Sequence, residues 1–282
     1  MTALDFKTND PIAWCPGCGD FAILTALKKA LAVIGKKPHE LLMVSGIGQA
    51  AKTPHYVNAN CFNGLHGRAL PAASAAKIAN RELTVIVTTG DGDCYGEGGN
   101  HFIHNIRRNC DITVIVHDNQ VYGLTTGQAS PTSDAGFVTK IQPGGVILEP
   151  FHPLAVAISL GCGFVARGFA GDVEHLSGLI VQGVEHKGFA LIDVLQPCVS
   201  FNKHNTREWY AKRVYKLDAS YDPYDRTAAF AKAEEWGDRI PLGVIYRREK
   251  PTYGALSGVD AMEPLCDDRE PIDIGGFLND CV

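Results

Sequence analysis

The feature that most constrains the fold is a repeated alternation of apolar runs with stretches of helical spacing. Runs rich in branched residues, such as LLMVS, LTVIV, ITVIV and ALIDV, are separated by segments such as FAILTALKKALAVI, which Gly35 ends. Continuous apolar strands that alternate with helices are typical of a parallel sheet with both faces covered. We therefore expect an α/β fold with a mostly parallel sheet and helices on both faces.

Glycines and polar residues cluster where these predicted strands end. The glycines concentrate in 46–48, 64–67, 90–99 and 123–127, each next to an apolar run or a polar cluster. Glycine there lets the backbone approach a ligand closely. Because ligands of parallel sheets bind beyond the carboxyl ends of the strands, the sequence predicts a binding site at that edge.

Composition narrows the class of protein. The net charge of −5 is mildly acidic and spread along the chain, so nucleic acid is not an expected partner, and no run reaches the roughly 18 apolar residues of a membrane span. The N-terminus lacks the apolar core of a secretory signal, and nine cysteines favour thiol or metal chemistry in a reducing cytoplasm. We expect a domain over 1–205 and an extension over 206–282 that packs on the same domain or on a partner. Its acidic end, 259–282, is expected to lie over one of them.

Asp91 and Asn119 form the first candidate site. Each follows a predicted buried strand, and their separation is about that of one strand–helix–strand crossover. Neighbouring strand ends would present a carboxylate and an amide oxygen to one point, which suits Mg²⁺ together with phosphate oxygens. The nearby glycines and a helix start would supply N–H groups to a diphosphate. The ordinary alternative is a surface turn and an unrelated asparagine.

Cys15 and Cys18 form the second candidate site, in WCPGCGDF. A Cys-x-x-Cys pair serves thioredoxin-like redox chemistry, zinc binding or iron–sulfur ligation. No predicted strand precedes the pair, which argues against the thioredoxin type. The remaining two alternatives stay open at this level.

Several motifs together resemble one family. GDG followed by Asn is similar to the motif of thiamine-diphosphate enzymes, and WCPGCGDF, SGIG, LHGRALP, the segments around GDGD and HDNQVYG, and QPCVSFN occur in this order. They resemble the β subunit of 2-oxoacid:ferredoxin oxidoreductases, particularly the two-subunit 2-oxoglutarate type. The resemblance covers about 14–205.

This resemblance implies coenzyme A-dependent oxidative decarboxylation of a 2-oxoacid to acyl-CoA and CO₂, reversible in principle. The implied cofactors are thiamine diphosphate, magnesium and a 4Fe–4S cluster that delivers electrons to ferredoxin. It also implies an α subunit that completes the site, and an (αβ)₂ assembly. We expect 2-oxoglutarate as the substrate, with pyruvate or a broad range of 2-oxoacids as alternatives.

The resemblance also assigns residues. Asp91, Asn119 and the carbonyl of Val121 would bind magnesium. His66 would lie near the diphosphate and Lys52 would face the oxoacid, and these two are the catalytic candidates; a buried polar histidine and a solvated lysine are the ordinary alternatives. Asn63 and Thr126 are weaker candidates. The full cofactor-binding set is Ser45, Gly46, Ile47, Gly48, His66, Gly90, Asp91, Gly92, Asp93, Asn119, Val121, Gly123 and Leu124.

The cluster ligands depart from the family pattern. Cys15, Cys18 and Cys198 match three family positions, but Gln49 stands at the fourth, directly after the Gly-Ile-Gly turn. Glutamine is a poor substitute for a thiolate. We expect Cys61, in the same loop region, to supply the missing thiolate. The alternatives are a three-cysteine cluster with a labile iron, or no cluster.

Two other functions compete with this interpretation. A non-redox thiamine decarboxylase or acetohydroxyacid synthase would leave the cysteines unexplained. An iron–sulfur or zinc scaffold without thiamine would leave the Asp91–Asn119 pair unexplained. A bound iron–sulfur cluster would distinguish the leading hypothesis from the non-redox enzyme. Binding of thiamine diphosphate with magnesium would distinguish it from the scaffold.

Overall fold

The structure, a computed structural model, describes residues 1–264. A central sheet has eight strands. They are β1 (Leu41–Ser45), β2 (Asn60–Asn63), β3 (Thr84–Gly90), β4 (Thr113–Asp118), β7 (Phe164–Phe169), β8 (Ala190–Leu195), β9 (Val214–Lys216) and β10 (Ile240–Arg247). A separate hairpin pairs β5 (Val121–Tyr122) with β6 (Gln128–Ala129).

The strand order is β2-β1-β3-β4-β8-β7-β10-β9. Every neighbouring pair is parallel except β10 with β7. All residues of β4, β7 and β8 are buried, as expected for strands covered on both faces. The expected fold class is therefore confirmed.

Helices cover both faces of the sheet. They are α1 (Asp20–Ile34), α2 (Ala69–Ala79), α3 (Gly99–Arg108), α4 (Pro153–Ser159), α5 (Val173–Glu185), α6 (Arg207–Ala211), α7 (Arg226–Glu234) and α8 (Tyr253–Ser257). Alternate residues of a strand point to opposite faces. In β4, Val114 and Val116 belong to the apolar cluster that includes residues of α2, α3, α4 and α7, whereas Ile115 belongs to the cluster that includes residues of α1 and α5.

Helix α1 illustrates how sequence sets an element. Ile23, Leu27, Ala30 and Leu31 recur at helical spacing and are fully buried against the sheet. Gly35 then takes a left-handed φ of 73° and its N–H bonds the carbonyl of Leu31, which ends the helix.

The region after residue 205 completes the sheet. β10 pairs with β7 and β9 pairs with β10, so the described part of 206–282 packs on the same body as 1–205. Most of the acidic segment expected to lie over a surface, with Cys266 and Cys281, falls outside the described residues. None of the described helices is both long and apolar enough to cross a membrane.

Candidate active site

The four strands β1, β3, β4 and β8 are parallel neighbours, so their carboxyl ends meet at one edge. Gly90 lies opposite His117, and Asp118 lies opposite Leu195 in the register. The chain leaves these strands at Gly46, Asp91, Asn119 and Gln196. The predicted glycine turn and the predicted metal ligands therefore begin from adjacent points on the sheet.

Asp91 is a buried carboxylate held in place by two hydroxyl groups. It is 1% exposed, and its Oδ2 accepts hydrogen bonds from Ser130 Oγ at 2.5 Å and Thr132 Oγ1 at 2.8 Å. Burial raises the pKa of Asp91, while the Ser130 and Thr132 hydroxyls lower it. A buried carboxylate whose direction is fixed is well suited to receive a cation, which would offset the cost of burial.

Asn119 and Val121 begin the turn after β4. Asn119 is 9% exposed, and its Oδ1 accepts the N–H of Val121 at 3.0 Å. Between them Gln120 takes φ of 60°, a left-handed conformation that is costly for a residue with a side chain. The turn is therefore held by its surroundings: Ser133 Oγ donates to the carbonyl of Gln120, and Gln120 Nε2 donates to the carbonyl of Thr132.

Asp93 connects three segments of the site. Its Oδ1 accepts the N–H groups of Ile47 at 3.2 Å and Gly67 at 2.7 Å, and its Oδ2 accepts the Thr89 hydroxyl at 2.6 Å. The carboxylate is 2% exposed, so both oxygens are occupied by protein donors. The resemblance implies that Asp93 contacts the diphosphate; the structure gives its side chain the additional role of fastening the glycine turn to β3.

The turn 46–49 leaves an open cradle. Ser45 is fully buried, with its hydroxyl donating to the carbonyl of Ala51 and accepting from Asn63 Nδ2. The predicted cofactor residue Ser45 and the weaker candidate Asn63 thus support the turn from behind. At Gly48 and Gly90 a Cβ would meet nothing within 4 Å, so both glycines border open space at the strand ends.

His66 lies at the entrance of the site. Its Nδ1 is 2.8 Å from Asp93 Oδ1 and 3.5 Å from Glu97 Oε2, and its side chain is 38% exposed. Lys52 lies in the short helical segment Ala50–Tyr56, and its Nζ donates to the carbonyl of Ala13 at 3.0 Å. This places the lysine beside the segment that precedes Trp14 and Cys15.

The β5–β6 hairpin covers the GDG turn. The ring of Tyr122 lies so close to Gly92 that a Cβ on Gly92 would overlap it, which explains the glycine at this position. Gly123 and Leu124 lie at the tip, where Leu124 is 48% exposed and Thr126 takes φ of 77°. The predicted residues of this tip therefore stand at the rim of the site.

A buried polar network behind Asp91 was not anticipated from the sequence. Thr132 Oγ1 is 2.8 Å from Oδ2 of Asp91 and 2.8 Å from Oδ1 of Asp118, so one hydroxyl bridges two carboxylates. Asp193 accepts the Tyr95 hydroxyl at 2.7 Å and faces Arg167 in the strand register. Burial raises the pKa of Asp193 to about 6, and burial followed by the charges of Asp193 and Asp91 raises the pKa of Asp118.

Three of the predicted thiols share one small cavity. Cys15, Cys18 and Cys198 line it together with Gln49. Ser200 Oγ donates to Cys15 Sγ at 3.1 Å. Burial, followed by the Asp20 carboxylate, raises the pKa of Cys18, whose Sγ lies 3.3 Å from Asp20 Oδ2.

Cys61 is not brought to this cavity. It lies on the edge strand β2 opposite Met43, two residues before the strand end at Asn63, and all residues of β2 are exposed. Two residues of strand correspond to roughly 7 Å. The structure thus places Gln49, and not Cys61, with the three thiols. Across residues 1–264, no three His, Cys, Asp or Glu side chains converge as donors to a single metal ion.

Comparison with known proteins agrees with this geometry. The thiamine pyrophosphate enzyme C-terminal TPP-binding domain family matches residues 43–194. The family formed by the C-terminal part of the pyruvate ferredoxin oxidoreductase β subunit matches residues 198–259.

The chain is 48% identical to 2-oxoacid:ferredoxin oxidoreductase subunit beta of Saccharolobus solfataricus, over 88% of this chain and 85% of that protein. It is 40% identical to 2-oxoglutarate oxidoreductase subunit KorB of Mycobacterium tuberculosis, over 70% of this chain and 53% of that protein.

The solved 2-oxoglutarate:ferredoxin oxidoreductase from Magnetococcus marinus, with 2-oxoglutarate, coenzyme A and succinyl-CoA bound, superposes with a TM-score of 0.90 at 33% identity. The match covers 100% of this chain and 96% of that one. The chain belongs to the β subunits of the 2-oxoacid:ferredoxin oxidoreductase family, and is thus a subunit of an oxidoreductase.

Proposed function

We propose that this β subunit binds thiamine diphosphate through magnesium at the carboxyl edge of the sheet and takes part in oxidative decarboxylation of 2-oxoglutarate. The observation that carries the proposal is the buried Asp91 carboxylate, fixed by Ser130 and Thr132 at the end of β3. Asn119 begins the turn at the end of the adjacent strand β4.

The residues present fit this cofactor. A carboxylate oxygen, an amide oxygen and a backbone carbonyl are hard ligands of the kind that magnesium takes when phosphate and water complete its shell. Gly48 and Gly90 border open space that any side chain would narrow. Asp91, Asn119 and the carbonyl of Val121 would hold the ion, and N–H groups of the glycine turns and of Gly92 and Asp93 would face the diphosphate. Ile47 and Gly123 with Leu124 would border the cofactor at either side.

When bound, thiamine diphosphate supplies the carbanion chemistry of decarboxylation. The chain itself positions and encloses the group. Asp93 holds the 46–48 turn against β3, and Tyr122 lies over Gly92, so contacts within the chain fix the shape of the cradle. His66, held by Asp93, would donate to a phosphate oxygen.

The oxoacid proposed is 2-oxoglutarate, with coenzyme A as cosubstrate. Support comes from the relatives named for 2-oxoglutarate and from the solved structure that binds 2-oxoglutarate and coenzyme A. Relatives named for 2-oxoacids in general leave pyruvate or a broad range as the second candidate. Lys52 would face the distal carboxylate after releasing the carbonyl of Ala13, to which its Nζ is bonded.

The partners proposed are an α subunit, in an (αβ)₂ assembly, and ferredoxin. The designation β subunit among the relatives supports the first. Large apolar side chains at the rim of the site, Leu65 and Leu124, are exposed and would be covered by a partner. All seven described cysteines are free thiols, which supports a reducing, cytoplasmic location.

Calorimetry of the chain co-purified with its α subunit tests the proposal. We expect heat of binding for thiamine diphosphate with Mg²⁺ in the parent complex and in Asp238→Ala, a control in an exposed turn. We expect none in Asp91→Ala, because a buried metal ligand is lost. Equal binding in Asp91→Ala would contradict the metal site. Absence of binding in the parent would favour a scaffold without thiamine.

A further inference from the structure

The cavity between the thiols contains buried acceptors that have no donor. Gln49 Oε1 and Gln196 Oε1 are both buried and have no hydrogen-bond partner among the described residues. Gln196 is 2% exposed, and both side chains line the cavity with Cys15, Cys18 and Cys198. A buried acceptor without a partner costs about 1–3 kcal/mol. The cavity therefore favours an occupant that donates a hydrogen bond to these oxygens or binds them as a cation.

The position of Gln49 is fixed on two sides. Trp14 Nε1 donates to its carbonyl at 2.9 Å, and its Cγ lies 3.7 Å from where a Cβ on Gly123 would be. Its side chain therefore lies between the thiols and the hairpin tip. This is the place where the family pattern has a fourth cysteine, and among the described residues only Cys15, Cys18 and Cys198 bring a thiol to the cavity lining, whereas Cys61 is on β2.

A single metal ion and a cluster require different arrangements of their thiolate ligands. In a single-ion zinc site all ligands converge on one metal, whereas in an iron–sulfur cluster each thiolate binds a different iron. The three thiols line one cavity, yet no three described His, Cys, Asp or Glu side chains converge on one point. Three thiols and one amide do not make a complete four-thiolate site, and thiols that do not converge on one point are compatible with a cluster but not with a single ion.

The lining of the cavity already carries a carboxylate, Asp20. Asp20 is fully buried, and its Oδ2 lies 3.3 Å from Cys18 Sγ while its Oδ1 contacts His117 Nδ1 at 2.6 Å. A further thiolate would add a negative charge beside this carboxylate. The neutral amide of Gln49 avoids that repulsion.

We propose that Cys15, Cys18 and Cys198 hold an iron–sulfur cluster as its only thiolate ligands, and that Gln49 faces the remaining corner through its amide oxygen. The cavity between these side chains is about 20 Å³, so an occupant of cluster size would require the exposed Cys15 side chain to move. An iron at a corner without thiolate is held more weakly than the others. This inference rests on the proposed function, since electrons leaving a 2-oxoacid need an acceptor.

The test uses the complex with the α subunit, purified without oxygen, with iron, sulfide and thiamine diphosphate measured on each sample. Brief exposure to air is expected to remove about one iron per chain from the parent protein and produce the EPR signal of a three-iron cluster. Gln49→Cys is expected to keep all its iron under the same treatment. Cys198→Ser is expected to lose the cluster, and the matched control Cys61→Ser is expected to behave as the parent.

Three results would overturn the inference. Loss of iron in Cys61→Ser would make Cys61 the fourth ligand. Equal loss of iron from the parent and from Gln49→Cys would show that the fourth corner does not depend on residue 49. Zinc or no metal in the parent, with thiamine diphosphate still bound, would refute the cluster while leaving the proposed cofactor site intact. Thiamine content in every variant also reports whether the fold is retained.

Discussion

Replacing Asp93 tests whether its carboxylate fastens the site or contacts the cofactor. In Asp93→Ala, the N–H groups of Ile47 and Gly67 lose their acceptor, and the hydroxyl of Thr89 keeps only the carbonyl of Gly90 at 3.4 Å. The buried Gly67 N–H costs about 2 kcal/mol, and the half-buried Ile47 N–H and the Thr89 hydroxyl cost about 1 kcal/mol each. His66 is omitted from this sum because solvent screens an exposed pair. The expected loss is about 4 kcal/mol of unfolding free energy.

The assay is urea unfolding at pH 7 of the chain without thiamine diphosphate, followed by tryptophan fluorescence. Should Asp93→Ala fail to fold, Asp93→Asn keeps an acceptor at Oδ1 and is expected to lose about 1–2 kcal/mol. Glu97→Gln is the control: Glu97 also approaches His66 but is 44% exposed, so its change is expected to stay within about 0.5 kcal/mol. Unchanged unfolding in Asp93→Ala together with lost cofactor affinity would refute the fastening role and assign the carboxylate to the diphosphate.

Three further predictions concern the same edge of the sheet. Thr132→Val removes the hydroxyl that bridges Asp91 and Asp118. Calorimetry is expected to show roughly tenfold weaker magnesium-dependent cofactor binding, which Thr132→Ser restores. Parent affinity in the valine variant would contradict the bridge. Gly90→Ala places a methyl group in open space, so the free energy of unfolding is expected to change by less than about 0.5 kcal/mol while cofactor affinity falls. Unchanged affinity would show that this space is not the cofactor cradle. The raised pKa of Asp193, about 6, means that the folded chain holds a proton between about pH 4 and pH 6 that the unfolded chain releases. Stability is therefore expected to fall by up to about 3 kcal/mol as pH rises through that window and to level off above it, with a shallower slope in Asp193→Asn; equal slopes would contradict the assignment.

The fold could be predicted because it rests on local patterns. Branched apolar runs marked the buried strands, helical spacing marked α1 and its end at Gly35, and parallel connections placed the strand ends at one edge. The antiparallel β10 was not predictable, because a single apolar run carries no information on its direction in the sheet.

The site was predicted in part. Asp91 and Asn119 could be recognised because they follow buried strands, whereas Ser130 and Thr132 lie in an irregular segment with no periodicity. Their partnership with Asp91 depends on how the β5–β6 hairpin folds back. The only sequence signal was the small-polar segment after that hairpin.

Cys61 shows the limit of distance along the chain. It is twelve residues from Gln49, and this proximity suggested a shared loop. Strand register decides otherwise, since β2 aligns Cys61 with Met43 and Asn63 with Ser45. The position of a residue along a parallel sheet depends on the register of strand pairing, which cannot be read from the sequence.

One peptide bond of the glycine turn links the strand-end cradle to the thiol cavity. Gly48 borders the cofactor cradle and Gln49 forms a wall of the thiol cavity, and the two residues are joined by a single peptide bond. Their α-carbons are therefore about 3.8 Å apart whatever happens to the surrounding packing. A displacement of Gly48 is therefore passed directly to Gln49, so a change in the shape of the cradle also moves one wall of the thiol cavity.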